Sequence, residues 1–158
     1  MFDSSIIKRG IIYMLTGIGV FIGEIMLQGH RLNGYLLLGT LLAFLITAII
    51  GQKTWWPVIA ACTIFMYFFY HYSFLISVGL IFMVVFFTFL LNRATLVIPY
   101  HIRYWIVLLA ASLWHGAISI GLTAWHLVPS YTVTMGVLTV LTTAAIGIIL
   151  IIPTAPKA

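Results

Sequence analysis

The sequence predicts an all-α integral membrane protein, a bundle of six transmembrane helices with both termini in the cytoplasm. Three observations predict it: the composition, the lengths of the apolar segments and the distribution of positive charge. Hydrophobic residues make up 64% of the 158 residues and charged residues 6%, and the mean hydropathy is +1.24. Because a soluble domain carries about a quarter charged residues, we expect this chain to lie in a lipid bilayer.

Polar positions divide the chain into apolar segments, which we interpret as one transmembrane domain with spans at residues 10–29, 34–51, 55–70, 74–91, 104–127 and 131–152. The uncharged stretch from Thr54 to Asn92 would be about 58 Å long as a single helix, roughly twice the hydrocarbon core. It must therefore fold back, and the polar cluster Tyr70–Ser73 is the plausible turn. Residues 94–103, interrupted by Pro99, are too short to span and are predicted to be an interfacial connection.

The positive charges predict the orientation of the spans. With the N-terminus inside, the inner segments hold six Lys and Arg residues, namely Lys8, Arg9, Lys53, Arg93, Arg103 and Lys157. Arg31 is the one basic residue assigned to an outer loop. This distribution follows the positive-inside rule, and we expect the protein to lie in the cytoplasmic (cell) membrane. Because the formal charge of +5 is spread between apolar segments, no nucleic-acid partner is predicted.

The fifth segment carries a polar stripe on an otherwise apolar helix. His115 lies near its middle, where an ionisable group is costly enough to be a functional candidate. His126 lies eleven residues further along the same predicted helix, so its side chain leaves nearly the same face, with Ser112 and Ser119 on or beside it. Other helices must cover this stripe, because lipid offers no hydrogen-bond partners.

Glu24 is the one acidic residue within a predicted span, and it shares a helical face with Gln28. Its estimated depth lies between those of His115 and His126, so we predict that Glu24 and His115 line one buried polar site. The alternatives are a protonated Glu24 that serves packing, or a Glu24 that reaches Arg31. The predicted ligand-binding residues are Glu24, Gln28, Ser112, Trp114, His115, Ser119 and His126.

Small residues at helical spacing predict close contacts between helices. Gly19 and Gly23 form a G-x-x-x-G pattern in the first segment, and a second set, Gly136, Thr139, Thr143 and Gly147, shares one face of the sixth. Such residues let helix backbones approach closely in lipid. We therefore predict that the first, fifth and sixth helices are neighbours or that these faces bind partner subunits.

Several kinds of chemistry have little support in the sequence. The candidate metal or haem ligands are the histidines assigned to the outer ends of spans, His30, His71 and His126. They follow no ligand-spacing motif, so no cofactor is predicted. The single Cys62 excludes an internal disulfide and a cysteine-based zinc site. No phosphate loop, nucleophile elbow or carboxylate pair appears, and no catalytic residue is predicted.

In size, span number and orientation the chain is similar to the substrate-binding membrane subunits of energy-coupling vitamin transporters. It is equally similar to the cell-shape and envelope-assembly membrane proteins of comparable length. Both resemblances concern the architecture of the whole chain and involve no motif. The favoured hypothesis is a binding or transport subunit for a small polar molecule, working with partner subunits. The alternatives are a scaffold or accessory subunit of a membrane complex, and a haem- or metal-binding redox protein.

Overall fold

The computed structural model describes residues 11, 12, 14–16, 18, 19, 22, 23, 25, 26, 34–51, 55–128 and 131–154. Within these residues the chain consists of helices and turns without a strand, so the all-α prediction is confirmed. The described residues between positions 11 and 26 are helical and are called α1. The other helices are α2 (Tyr35–Ile50), α3 (Trp56–Phe69), α4 (Phe74–Ala94), α5 (Tyr100–Ala124) and α6 (Val133–Thr154).

Three of these helices are long and apolar enough to cross a membrane: α4, α5 and the part of α6 from Val133 to Ile151. They indicate a membrane protein. The other two, α2 with 16 residues and α3 with 14, are apolar but shorter. Large aromatic side chains on α3 and α4 are exposed, including Phe68, Phe82, Phe86 and Phe89. Such exposure would be costly in water but is favourable in lipid.

The central helix of the bundle is α2, which contacts α3, α4, α5 and α6. Eleven of its 16 residues are buried. Leu42, Leu45 and Ile46 are fully enclosed and belong to one core cluster with Met66 of α3 and Leu108 of α5. Because protein surrounds α2, its apolar residues contact other side chains rather than lipid.

Local sequence explains where α3 ends and α4 begins. The chain turns at residues 70–73, and the Ser73 hydroxyl accepts a hydrogen bond from the backbone N–H of Ile76 at 3.3 Å. This N-cap satisfies one of the free donors of the first turn of α4. His71, just before it, has a φ of 53°, in the left-handed region.

The connection between α4 and α5 is shorter than the sequence predicted. Residues 94–103 were expected to form it, but α4 continues to Ala94 and α5 begins at Tyr100. Pro99 immediately precedes the helix, and its carbonyl accepts the N–H of Arg103 at 3.0 Å. Proline is well tolerated at a helix start, because the first N–H groups have no partner within the helix. The proline therefore starts α5 rather than interrupting a loop.

The closest approach between helices joins α2 to α6. A Cβ atom placed on Gly39 would lie 2.6 Å from Cβ of Thr142 and 3.0 Å from the Thr139 carbonyl oxygen. The Thr143 hydroxyl donates to the Gly39 carbonyl at 3.2 Å across the same contact. The two backbones therefore touch here, and only glycine fits at position 39 without a shift of its neighbours.

Tyr104 joins α5 to both of these helices. Its side chain is fully buried, its hydroxyl donates to the Gly147 carbonyl at 3.0 Å, and it lies 3.1 Å from Oγ1 of Thr47. Gly147 leaves room beside Tyr104 for the Leu108 side chain, which a Cβ atom at position 147 would overlap. One phenol thus connects α2, α5 and α6, using its capacity both to donate and to accept.

Gly39→Ala should lower the free energy of unfolding by about 1–3 kcal/mol, because the added methyl overlaps Thr142 and the backbone of α6. The matched control is Gly79→Ala on α4, where a Cβ atom meets nothing within 4 Å. That change should be neutral or stabilising by up to about 1 kcal/mol, because alanine favours helix. Unfolding in detergent micelles measures both. Equal effects of the two substitutions would contradict the close contact.

Candidate functional site

The polar stripe predicted on the fifth segment lies inside the bundle, toward the end where α6 begins. Ser112, His115 and Ser119 are all buried, and His115 is 1% exposed. Leu113, on another face of α5, is exposed. The three polar side chains are therefore covered by protein, as the cost of placing them in lipid requires.

His115 and Ser119 differ from the other buried polar residues of α5. Ser112 donates its hydroxyl hydrogen to the Leu109 carbonyl at 3.0 Å. By contrast, neither ring nitrogen of His115 nor Oγ of Ser119 has a hydrogen-bond partner among the residues that the structure describes. A buried polar group without a partner costs about 1–3 kcal/mol. Three such atoms within one helical turn form a site where a bound molecule would find free donors and acceptors.

Tyr131 forms one wall of this site. Its ring meets the His115 ring edge to face, with 6.1 Å between the ring centroids. The Tyr131 hydroxyl donates to Oγ1 of Thr139 at 3.4 Å, and its backbone N–H donates to Oγ1 of Thr123 at 3.1 Å. These bonds to α5 and α6 hold the ring against His115.

Further buried tyrosines extend the polar interior from this wall. Tyr72, between α3 and α4, and Tyr35, at the start of α2, are both buried. Burial first, and then the neighbouring phenols of Tyr131 and Tyr35, raise the pKa of Tyr72 well above its ordinary value. It therefore stays neutral and able to donate a hydrogen bond. We call His115, Ser119, Tyr131, Tyr72 and Tyr35 the His115 cluster; it contains no charged side chain.

Trp114, predicted to contact a ligand, lies outside this cluster. Its side chain is 40% exposed and stacks on Phe87 of α4, with ring centroids 5.0 Å apart. Adjacent positions on a helix point about 100° apart, so the burial of His115 turns Trp114 toward α4. Stacking on a ligand in the cluster is therefore not a role that this geometry supports.

His126 is also displaced from the predicted position. It was expected on the helical face of His115, but α5 ends at Ala124 and His126 is exposed with a φ of 57°. Its N–H donates to the Thr123 carbonyl, and the N–H of Leu127 donates to the Leu122 carbonyl, both at 3.0 Å. This pattern is the Schellman motif, whose left-handed position is usually glycine. His126 occupies that position, and so it ends the helix instead of extending the stripe.

The predicted metal ligands do not converge within the described part of the chain. His71 and His126 are exposed, left-handed residues at the ends of α3 and α5, and histidine is among the residue types that tolerate this conformation. No group of three or more His, Cys, Asp or Glu side chains suited to a metal occurs among the described residues. His30, Glu24 and Gln28 lie outside the described residues, so the pairing of Glu24 with His115 stays a prediction.

The small residues of the sixth segment lie on its buried side. Thr139 and Thr143 lie where α6 meets α2, and Gly147 lies next to Tyr104. Gly136 faces α5: its Cα would lie 3.8 Å from a Cβ atom placed on Gly116. α5 and α6 are neighbours. That the small residues of the sixth segment form a surface for partner subunits stays a prediction.

The small residues of the first segment have looser surroundings. Gly23 is half-buried, and a Cβ atom there would lie 3.4 Å from Cδ1 of Leu36 in α2. Gly19 is exposed and lines a groove of about 470 Å³ with Ile146 and Ile149 of α6. α1 therefore flanks α6, with Gly19 at the open surface.

The tyrosines of the cluster are not among the ligand-binding residues that the sequence predicted. One signal could have found them. Tyr35 follows one predicted connection, Tyr72 lies within a second at the same end of the bundle and Tyr131 follows the third, so the topology brings all three to one level.

Comparison of the chain with protein-family models, with curated proteins and with solved structures finds no match.

His126→Gly should raise the free energy of unfolding by up to about 1 kcal/mol, because glycine adopts the left-handed conformation without a steric penalty. His126→Val should lower it by a similar amount, since a branched side chain is least compatible with that conformation. The control is His101→Gly: this exposed histidine is the second residue of α5 and is helical, so glycine gains nothing there and should be neutral or destabilising by a few tenths of a kcal/mol relative to histidine. Thermal unfolding measures all three, and a loss of stability in His126→Gly would argue for a side-chain role.

Proposed function

We propose that this protein is a binding or transport subunit that holds a small molecule in the His115 cluster and works with partner subunits in the cell membrane. The observation that carries the proposal is that His115 and Ser119 are buried and that their side-chain polar atoms have no hydrogen-bond partner in the described part of the chain. Side chains that serve packing alone are expected to satisfy their polar atoms. A ligand that hydrogen-bonds to these atoms offsets the cost of burying them.

The chemistry of the cluster favours an uncharged ligand group. A neutral imidazole offers one donor and one acceptor, and a serine hydroxyl offers both. Among the described residues the cluster holds no charged side chain, and a charge brought into such surroundings without a counter-ion is costly. The bound group is therefore best described as a hydroxyl, carbonyl or amide.

Transport through such a site requires more than this chain supplies by itself. The sequence shows no phosphate-binding loop. We therefore assign any step that uses ATP to partner subunits. Without such partners, this protein would transport its ligand only down a concentration gradient.

The proposal includes six spans with both termini in the cytoplasm. In support, the basic residues alternate correctly between the two sides of the predicted spans. Helices α2 and α3 would be only about 24 Å and 21 Å long by helical rise, but α2 is enclosed by other helices. At the start of α3, Trp55 and Trp56 are exposed, and tryptophan is suited to the membrane interface.

A scaffold or accessory role is the second candidate. It is favoured by the groove between α1 and α6, where Gly19 leaves the surface open beside Ile146 and Ile149. A transmembrane helix of a partner subunit packs closely against such small residues. In this case the His115 cluster would be incidental to function.

Cysteine labelling tests the topology. In a Cys62→Ala background, His71→Cys should react with a membrane-impermeant maleimide in intact cells, because the connection between α3 and α4 lies outside in the proposed arrangement. Val97→Cys, on the connection between α4 and α5, should react only after permeabilisation. Val97 is 94% exposed and His71 is also exposed, so access within the protein limits neither reaction. Labelling of Val97→Cys in intact cells would exclude the proposed arrangement.

Replacement of His115 tests the site. His115→Phe removes two polar atoms that have no partner among the described residues and keeps a planar aromatic ring, although the ring is larger. Because the polar gain and the cost of the added volume offset each other, the ligand-free protein should stay within about 1 kcal/mol of the wild type. The same variant should lose the stabilisation that uncharged nucleobases, vitamins or polyols give the wild type. That stabilisation is about 2.7 kcal/mol at 100 times Kd, roughly 5–10 °C in Tm.

The control for this test is Ser112→Ala, whose hydroxyl is bonded within its own helix. It should keep the ligand response. A ligand-free His115→Phe protein that is destabilised by several kcal/mol would make His115 a packing residue and contradict the proposal.

A further inference from the structure

A groove of about 320 Å³ runs along the outer surface of α5 and α6, beside the His115 cluster. Its walls are apolar on both helices, formed by Leu113, Ala117, Ile120, Val133, Val137 and Leu141. Most of these residues are exposed. In the proposed membrane arrangement, the groove opens to lipid.

The floor of this groove consists of two glycines. Gly116 and Gly136 line it, and a Cβ atom on Gly116 would lie 3.8 Å from Cα of Gly136. The two helices therefore meet with no side chain between them at this level. On the inner side, a Cβ atom on Gly136 would lie 3.7 Å from the Tyr131 ring, and His115 immediately precedes Gly116. The glycine contact therefore lines the groove on one side and lies next to the Tyr131 ring on the other.

We infer that the His115 cluster takes its ligand from the membrane through the groove between α5 and α6, and that the ligand is a neutral amphiphile. Its apolar chain lies in the groove, and its hydroxyl or carbonyl head group reaches His115 and Ser119 past Gly116 and Gly136. This inference rests on the proposed function and names the ligand class for the same site.

The chemistry of the ligand's head group is inferred from the side-chain atoms that have no hydrogen-bond partner. Three polar atoms without partners among the described residues, two on His115 and one on Ser119, suit one or two oxygen atoms. A phosphate or carboxylate would meet no cationic side chain in the cluster, and its desolvation would not be offset. The apolar chain of the ligand is inferred from the groove, whose apolar walls disfavour a polar occupant.

A second groove shows why the position beside His115 matters. It lies between α4 and α5, has a volume of about 470 Å³ and is lined by residues that include Gly79, Gly121 and Trp125. No unpartnered buried side-chain atom belongs to its described lining. This larger groove offers a lipid chain apolar contact but no head-group site, so it serves as an internal comparison.

The experiment uses the full chain in phosphatidylcholine vesicles and a hexadecanol that carries a diazirine next to its hydroxyl. Irradiation should label the segment of α5 around His115 and Ser119, located by peptide mass spectrometry. Unlabelled hexadecanol should compete, whereas hexadecane and palmitate should compete at least tenfold less well. His115→Phe should lower the labelling roughly tenfold, the effect of one to two lost hydrogen bonds.

The route is tested by filling the groove. Val137 is 52% exposed in the groove wall, so Val137→Phe should keep the fold and lower the labelling at least fivefold. Val78→Phe makes the same change on an exposed position of α4 outside both grooves and should leave the labelling unchanged. Ala117→Phe repeats the test from the α5 side should Val137→Phe prove unstable.

Two results would overturn the inference. Labelling that depends on His115 but is indifferent to both groove variants would exclude entry through the groove and leave the proposed function intact. If the groove is labelled equally in the wild type and in His115→Phe, the labelling reflects ordinary lipid contact and the inference is wrong. The proposed function is tested separately, and it fails if the ligand-free His115→Phe protein is destabilised by several kcal/mol.

Discussion

The contact between α2 and α6 at Gly39 is the constraint on which the rest of the interior depends. Apolar side chains gain little from leaving lipid for other side chains, so membrane helices associate through close packing and hydrogen bonds between helices. At Gly39 both occur together, since the backbones touch and Thr143 donates to the Gly39 carbonyl. α2 contacts every helix from α3 to α6. Fixing α6 against it therefore sets where α6 begins, and with that the place of Tyr131 beside His115.

The hydroxyl groups of the interior separate packing residues from candidate functional ones. Thr139 on α6 and Thr88 on α4 each donate to the carbonyl four residues earlier, at 2.9 Å and 2.7 Å. Thr143 shares its single hydroxyl hydrogen between the Thr139 carbonyl of its own helix at 2.7 Å and the Gly39 carbonyl of α2 at 3.2 Å. A side chain bonded in this way satisfies itself within its own helix and needs no ligand. The Ser119 hydroxyl lacks such a bond, and an imidazole is too rigid to make one, so His115 depends on a partner from elsewhere. The same distinction explains why the threonine face of α6 is a packing face, whereas the proposed site lies on the polar stripe of α5.

Much of the fold follows from the sequence, and the parts that do not have identifiable physical reasons. Polarity marks the connections between helices, and the burial of Ser112, His115 and Ser119 matches the cost of polar groups in lipid. The central place of α2 was not predicted, because a helix that is apolar on every face looks the same whether it meets protein or lipid. Gly39 and Ala43 do carry a signal, small residues four apart that both lie against α6. The end of α5 was also missed, because a histidine occupies the position where glycine would normally mark it.

The interior formed by α2, α5 and α6 has two unequal ends on either side of the Gly39 contact. At one end Tyr104 is bonded to Gly147 and lies beside Thr47, so each helix is connected to the other two. At the other end α5 and α6 meet at Gly116 and Gly136, and the nearby polar atoms of His115 and Ser119 have no partners among the described residues. Separating α5 from α6 at Tyr104 breaks buried hydrogen bonds, whereas the glycine pair itself is held by van der Waals contacts, with the hydrogen bond from the Tyr131 N–H to Thr123 nearby. A small relative motion of α5 and α6 that keeps this hydrogen bond is therefore least costly at the glycine pair, where the proposed ligand enters.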